Sequence, residues 1–348
     1  MSIYKGYLEV SIFGESHGEM IGMTIHNFPC GKKIDIEAIE RNLQLKGAFK
    51  IAKSKRAEPD KFKIVSGLFN GFTTGLPLTF IIENCDVDSS GYDYGKIRPS
   101  HADYAAYVKY AGYNDYRGGG HFSGRLMSLY IILGSLCEQQ LQERGIKIVS
   151  KIASIGDIVD EEGIKETYDE GLAVNSKKIK EEMISLLKNL KGDSVGGIVE
   201  TYVFNPPIGL GNPLFESVES QLSYLIFSIP GVKGIEFGDG FAITRKKGSE
   251  VADEMRIENG KVEFLHNHSG GIQGGITNGE VVYFRTAIKP TPTIAKPLKT
   301  IDIIKKENII LQSQGRHDGC IVPKAVYIVN AITQFAFYDM LLGDLHER

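Results

Sequence analysis

The sequence predicts an α+β fold with an interior helical layer covered by sheets, in a chain whose 348 residues are enough for one large domain or two ordinary ones. Three observations carry this. Short runs of alternating apolar and polar residues read as strands, and two long segments are apolar on nearly every face, as helices covered on more than one side must be. Strands and helices also fail to alternate strictly, which disfavours a doubly wound parallel sheet.

In chain order, Tyr7-Leu8-Glu9-Val10-Ser11-Ile12-Phe13 is the first strand-like run. Asp35 reads as the cap of a helix that stops near Gly47. Leu78-Thr79-Phe80-Ile81-Ile82 alternates as a half-buried strand, and 125–141, with Leu126, Leu129, Ile132, Leu133 and Leu136, is the first all-round apolar helix. Asn175 opens an amphipathic run through Ile179, Met183, Leu186, Leu187 and Leu190 to Gly192. Val281-Val282-Tyr283-Phe284-Arg285 reads as a strand, and 324–342, following Pro323, is the second apolar helix. The charged stretches Asp160-Glu161-Glu162 and Lys246-Lys247-Gly248-Ser249-Glu250 are expected at the variable surface. Gly14-Glu15-Ser16-His17-Gly18 and Gly192-Asp193-Ser194-Val195-Gly196 share a Gly-acid-Ser-x-Gly pattern about half a chain apart, which is compatible with internal duplication and equally with chance.

Apolar residues make up 42% of the chain and charged residues 24%, the balance of a soluble globular protein. A formal charge of −3 gives no electrostatic reason to expect nucleic acid. Cys30, Cys85, Cys137 and Cys320 are widely spaced, without the pairing of a zinc site or disulfide framework, so no metal is expected and a reducing cytoplasm fits. Neither a signal core nor an uninterrupted apolar run of membrane-spanning length is present, so no membrane association is expected.

Two chemistries can be read from Gly14-Glu15-Ser16-His17-Gly18: the nucleophile elbow of a hydrolase, or a proton-transferring histidine on a glycine turn. Tyr116-Arg117-Gly118-Gly119-Gly120-His121-Phe122-Ser123-Gly124-Arg125 runs into the first apolar helix, where free N–H groups and the helix dipole attract phosphate. It is no Walker loop, because Arg125-Leu126 stands where Lys-Ser/Thr is required, and no Gly-x-Gly-x-x-Gly sits between a strand and a helix. Arg98-Pro99-Ser100-His101-Ala102-Asp103 and Gly315-Arg316-His317-Asp318-Gly319-Cys320 put further histidine, arginine and aspartate beside proline or glycine. Taken alone, each reads better as a packed histidine or a surface ion pair than as a catalytic group. His266 and His268 would face opposite ways on an extended strand, and Lys289-Pro290-Thr291-Pro292-Thr293 suits a rigid wall against a ligand as well as an ordinary loop.

Taken together, these segments resemble chorismate synthases. The resemblance rests on the Gly14–Gly18 pentapeptide, Arg98-Pro99-x-His101-Ala102-Asp103, Tyr116-Arg117-Gly118-Gly119-Gly120-x-x-Ser123-x-Arg125, Gly192-Asp193-Ser194-x-Gly196, Asn267-His268-x-Gly270-Gly271-Ile272-x-Gly274-Gly275-Ile276 and Gly315-Arg316-His317-Asp318, in that family's order and from about residue 8 to 340. It implies an anti-1,4-elimination of phosphate from 5-enolpyruvylshikimate 3-phosphate to give chorismate, dependent on reduced FMN, with NADPH involved only indirectly through flavin reduction. His17 would protonate the departing phosphate, His101 would supply a proton near flavin N1, and Asp318 would assist removal of the ring proton through flavin N5. Ser16, Arg125 and Arg316 would contact substrate, and His121, Ser123, Gly274, Lys289, Pro290, Thr291, Pro292, Thr293 and Arg316 would line the flavin. Implied as well are a single domain over residues 1–348, a helical layer sandwiched between antiparallel β-sheets, and a homotetramer.

Three departures from the family pattern stand out. His121-Phe122 replaces a common Arg-Ser, Leu45 and Ile51 stand where arginines usually contact substrate or nicotinamide cofactor, and Pro230 replaces a residue that is commonly Asn. Two alternatives therefore remain beside the lyase: a flavin-binding homologue with reduced or lost activity, and a serine hydrolase acting through Ser16.

Overall fold

The computed structural model describes residues 2–51, 56, 58–165, 171–313 and 318–347. The chain opens with β1 (Ile3–Lys5), β2 (Glu9–Gly14), β3 (Met20–His26), α1 (Ile36–Ala48), β4 (Phe62–Ser66), β5 (Leu68–Phe69), β6 (Phe72–Thr73) and β7 (Leu78–Glu83). Its middle holds α2 (Asp103–Lys109), α3 (Met127–Gln142), β8 (Lys147–Ile155), β9 (Ile158–Val159), α4 (Lys177–Lys188), β10 (Gly197–Phe204), α5 (Val218–Ile226) and β11 (Val232–Phe237). Four short strands follow, β12 (Met255–Glu258), β13 (Lys261–Phe264), β14 (Ile272–Gln273) and β15 (Ile276–Thr277). The chain closes with β16 (Val282–Ile288), β17 (Leu298–Asp302), β18 (Glu307–Leu311) and α6 (Val322–Glu347).

Two five-stranded antiparallel sheets form, in the orders β1-β2-β3-β7-β4 and β11-β16-β10-β8-β9, so the α+β expectation holds. Alternation sets which face is buried. Leu78, Phe80 and Ile82 of β7 point inward, as do Val199 and Val203 of β10 and Val282, Phe284 and Ile288 of β16. Phe13 lies across its register partner Gly22, where a Cβ would stand 2.2 Å from the ring; the missing side chain makes room for the aromatic one.

The helices α3 and α6 pack along each other, and α6 also lies against β8 and β10. On its other side Tyr338 packs on Phe28, and the Asp339 carboxylate accepts from the Leu8 amide at 2.6 Å and the Tyr4 hydroxyl at 2.7 Å. Burial pushes the Asp339 carboxyl upward, against the pull of those two donors. By length and composition Val322–Leu345 is apolar enough to cross a membrane, but 89% of its apolar window is buried inside the protein. It is a core helix, and the hydrophobic cluster around it runs without a break from Leu8 to Leu342.

Asp35 caps α1 by accepting from the Ala38 amide at 3.0 Å, as its sequence position predicts. Asn175 instead precedes α4 by two residues, and its amide donates to the Asp160 carboxylate at 2.8 Å. Asp160 itself, expected at the surface, is 3% exposed. The reason is Lys151, a buried lysine on β8 that needs oxygen partners and takes the Asp160 carbonyl at 3.2 Å. His266 and His268 do not diverge, because the residues between β13 and β14 are not extended; their rings lie 5.5 Å apart, and His268 Nδ1 meets Asp239 at 3.0 Å.

At the crossing of α3 and α6, a Cβ on Gly134 would sit 2.4 Å from both Cα and Cβ of Ala331. Gly134→Ala should therefore lower the melting temperature: overpacking of about 1–3 kcal/mol outweighs the roughly 1 kcal/mol that alanine gains in helix propensity. A variant as stable as the wild type in calorimetry would show that the helices part freely.

Candidate active site

Several chain segments meet at one place, and the turn Arg117–Phe122 ahead of α3 is the centre. Gly118, Gly119 and Gly120 hold φ of 58°, 90° and 53°, a left-handed run that other residues enter only with strain. Bare backbone matters as much as φ. A Cβ on Gly118 would lie 2.2 Å from His17 Cδ2 and Nε2, and one on Gly119 would lie 3.3 Å from His101 Cε1 and Nε2. Consecutive Cα atoms are about 3.8 Å apart, so the turn brings two imidazoles from distant segments close together. The Ser16 amide donates to Gly120 O at 3.1 Å and fastens the pentapeptide turn to the glycine turn.

His17 is 9% exposed; its Nδ1 meets Ser89 Oγ at 2.9 Å, and its ring stands edge-on to Tyr92 at 5.3 Å. His101 Nδ1 meets Asp103 Oδ1 at 2.7 Å. Burial raises the Asp103 carboxyl, but hydrogen bonds from His101 and Arg98 outweigh it and hold the group well below the usual carboxylate range. Ser16, expected to touch substrate, is instead fully buried, and its hydroxyl donates to Gly118 O at 3.1 Å. It braces the turn. A serine without exposure or a histidine partner is no nucleophile, which removes the support for a hydrolase.

The floor of the site is a buried cluster of charges. Lys46, in the last turn of α1, donates to Asp60 at 2.8 Å and to Ser128 Oγ. Arg125 was expected to clamp substrate, yet its guanidinium donates to Asn84 Oδ1 at 2.9 Å, Glu83 O at 3.3 Å and Asp60, so all three nitrogens are engaged within the chain. Burial pulls the Asp60 carboxyl up, but Lys46 and Arg125 win and set it at about 2. Lys46 is driven downward by burial, with Asp60 opposing. Arg56 pairs with Glu58 at 2.7 Å and donates to Ser16 O at 2.8 Å, tying this floor to the pentapeptide. Sequence reading missed Lys46, Arg56, Glu58 and Asp60, although the charges at 56, 58 and 60, two residues apart, were a signal.

Above the floor opens a cleft of about 1710 Å³ lined by both histidines, the charge cluster, Lys289–Thr293, Asp318 and Lys324. Among the described residues nine lysines and arginines face it against five carboxylates, so a chain of net charge −3 concentrates positive charge here. Asp318 is held by Lys324 at 2.8 and 2.7 Å. Arg316 lies outside the described residues. His121 lines the cleft with Nδ1 on Gly14 O at 2.9 Å and Nε2 on Ser2 Oγ, which leaves no nitrogen for a ligand phosphate. Ser123 also lines it and accepts from the Arg125 amide at 3.3 Å. Gly274 does not; it sits in the turn between β14 and β15, away from the cleft.

The lining suits an anionic, phosphate-bearing ring system such as a flavin nucleotide. Lys289, Pro290, Thr291, Pro292 and Thr293 all face the cleft, and the buried Thr291 Oγ1 has no hydrogen-bond partner among the described residues. Burial and the neighbouring Lys233 push the Lys289 ammonium downward while its Nζ donates to Ser100 O at 2.7 Å. The volume exceeds the roughly 300–1,000 Å³ of a typical single-ligand pocket. Two ligands can share it.

A family model for chorismate synthase matches residues 8–342. The chain is 42% identical to a chorismate synthase of Thermococcus kodakarensis over 96% of each sequence, and 40% identical to one of Korarchaeum cryptofilum over 99% of this chain and 98% of the relative. A crystal structure of chorismate synthase superposes with a TM-score of 0.75 at 26% identity, covering 97% of this chain and 93% of the other.

Two tests follow from the geometry. Gly118→Ala, which must move His17, should stay folded by circular dichroism and lose about 100-fold in turnover, the scale of an ångström-sized misplacement; near-wild-type turnover would mean that His17 tolerates displacement. Asp60 has a depressed pKa, so its contribution is complete above the ordinary carboxylate value near pH 4 and disappears as pH falls through about 2. Urea unfolding of Asp60→Asn against wild type should show a pH-dependent gap of about 2 kcal/mol at pH 6 that narrows below pH 4, and a constant gap would contradict this electrostatic role.

Proposed function

The chain belongs to the chorismate synthase family, and we propose that the cleft over the Gly118–Gly120 turn is where its reaction takes place. The enzyme is a lyase that removes phosphate from 5-enolpyruvylshikimate 3-phosphate by anti-1,4-elimination and releases chorismate, the last step of the shikimate pathway to the aromatic amino acids. The observation that carries the site assignment is the pair of imidazoles on consecutive glycines at the wall of a cation-rich cleft.

His17 acts as the acid for the departing phosphate. Its Nδ1 is occupied by Ser89, so Nε2 beside Gly118 is the atom that delivers the proton. His101 holds the second proton of the site, oriented by Asp103. Asp318 takes up the ring proton, and Lys324, 2.7 Å away, holds its carboxylate in place. Lys289 and Lys324 draw the anionic substrate in and offset the charge that builds on phosphate. The cofactor is reduced FMN, held by Lys289, Pro290, Thr291, Pro292, Thr293 and Ser123; when bound it supplies the electron-rich ring that makes the carbon–oxygen bond labile. NADPH serves only indirectly, to reduce the flavin.

Further readings concern the whole molecule. Two antiparallel sheets, with α6 in contact with β8 and β10 and joined to Leu8 and Phe28, support a helical layer between sheets in one domain; the repeated Gly-acid-Ser-x-Gly turn supports duplication. Ile208, Leu214, Phe215 and Phe241 are 74%, 81%, 91% and 79% exposed, which favours burial between subunits of a homotetramer. Four unpaired cysteines agree with a cytoplasmic location.

An anaerobic assay with chemically reduced FMN should give chorismate with the wild type. His17→Ala, His101→Ala and Asp318→Ala should each lower kcat by about 10²–10⁴-fold; normal turnover in all three would overturn the assignment of these roles.

A further inference from the structure

His101 is held differently from His17, and the difference fixes more than its direction. Its Nδ1 lies 2.7 Å from Asp103 Oδ1 and 3.3 Å from the Arg98 guanidinium. The Asp103 carboxylate accepts everywhere: from the Arg98 amide at 3.0 Å and Nε at 2.8 Å on Oδ2, and from the other guanidinium nitrogen at 2.7 Å on Oδ1. An ionised carboxylate has no proton to give, so the short contact to His101 exists only if Nδ1 carries the hydrogen. The Arg98 contact to Nδ1 is then donor beside donor, and that guanidinium nitrogen serves Asp103 alone. Nε2 is left with its lone pair on the Gly119 side, where the missing Cβ keeps it open.

We propose that Asp103 is a positioning residue, which fixes neutral His101 as the Nδ1–H tautomer and so makes Nε2 the atom that exchanges a proton in the cleft. Asp103 touches neither substrate nor cofactor in this scheme; it acts through His101, and the inference rests on the reading of His101 given above. At His17 the Nδ1 partner is the Ser89 hydroxyl, which donates or accepts equally well and so does not select a tautomer as a carboxylate does. Of the two histidines, one has a defined proton-exchanging nitrogen and a fixed counter-charge.

The substitution Asp103→Asn makes a specific demand. The Arg98 amide and Nε need an oxygen at the Oδ2 position, so the asparagine turns its NH₂ toward His101. Nδ1 becomes an acceptor and the proton moves to Nε2. The experiment is ¹⁵N magic-angle-spinning NMR of the full-length protein labelled selectively at histidine, with His101→Ala to assign the signals, together with flavin affinity and steady-state kinetics. Wild-type His101 is expected protonated at Nδ1, and Asp103→Asn at Nε2, with kcat lower by about 10–100-fold and KM and FMN affinity unchanged. A wild-type Nε2–H tautomer overturns the proposal even if the variant does not fold. So does an Asp103→Asn enzyme that keeps either the wild-type tautomer or the wild-type kcat. Full kcat in His101→Ala overturns the role of His101 and this inference together, whereas full kcat in Asp103→Asn beside a crippled His101→Ala overturns only the inference.

Discussion

Three successive residues with positive φ, Gly118 to Gly120, are the constraint on which the site depends. A single glycine would turn the chain. Three in a row also remove every side chain from the surface on which His17, Ser16 and His101 rest, and the third glycine passes beside Asp115 O, where a Cβ would come within 2.2 Å. Backbone thus substitutes for side chain as the packing partner of the reacting groups. The Ser16 hydroxyl and amide both bond to this turn, so strain in the glycines and placement of the histidine are one problem with one solution.

Charge is organised around that turn in two tiers. The lower tier is closed: Lys46, Asp60 and Arg125 satisfy one another in a buried cluster that breaks badly if one member is lost. The upper tier is open, with Lys289 and Lys324 facing the cleft beside Asp318. Arg125 belongs to the lower tier, so its contribution to anion binding passes through the field of the cluster and not through a direct fork on the ligand. The division explains how a chain with more acidic than basic residues still presents a cationic cleft.

Much of this was legible in the sequence because glycine and proline mark the same points in both descriptions. The strands at Leu78 and Val282, the helix capped by Asp35 and the two apolar helices follow from periodicity, since their burial is set by facing elements that repeat the same period. That His17, His101 and Asp318 line one cleft was legible because each is mounted beside a turn. What stayed hidden depends on pairing across the fold. Asp160 looked exposed because Lys151, which buries it, is nine residues away on β8. Ser16 and Arg125 looked ready for a ligand because a sequence does not say that Gly118 O, Asn84 and Asp60 have already claimed them. Gly274 shows the converse limit: its motif is intact, yet one chain keeps it away from the cleft.

The contact of Gly134 with Ala331 reaches further than packing. Both α3 and α6 start at the cleft, with Ser128 in the first turn of one and Lys324 in that of the other. The crossing lies about 10–14 Å along each helix from those ends, at 1.5 Å of rise per residue. The pair therefore works as a calliper whose hinge is a missing methyl group, and the gap between its jaws is the distance from the buried cations to Asp318. A position that meets no ligand sets the gauge of the chemistry, so the selectivity of the cleft is fixed partly by thickness in the protein's interior.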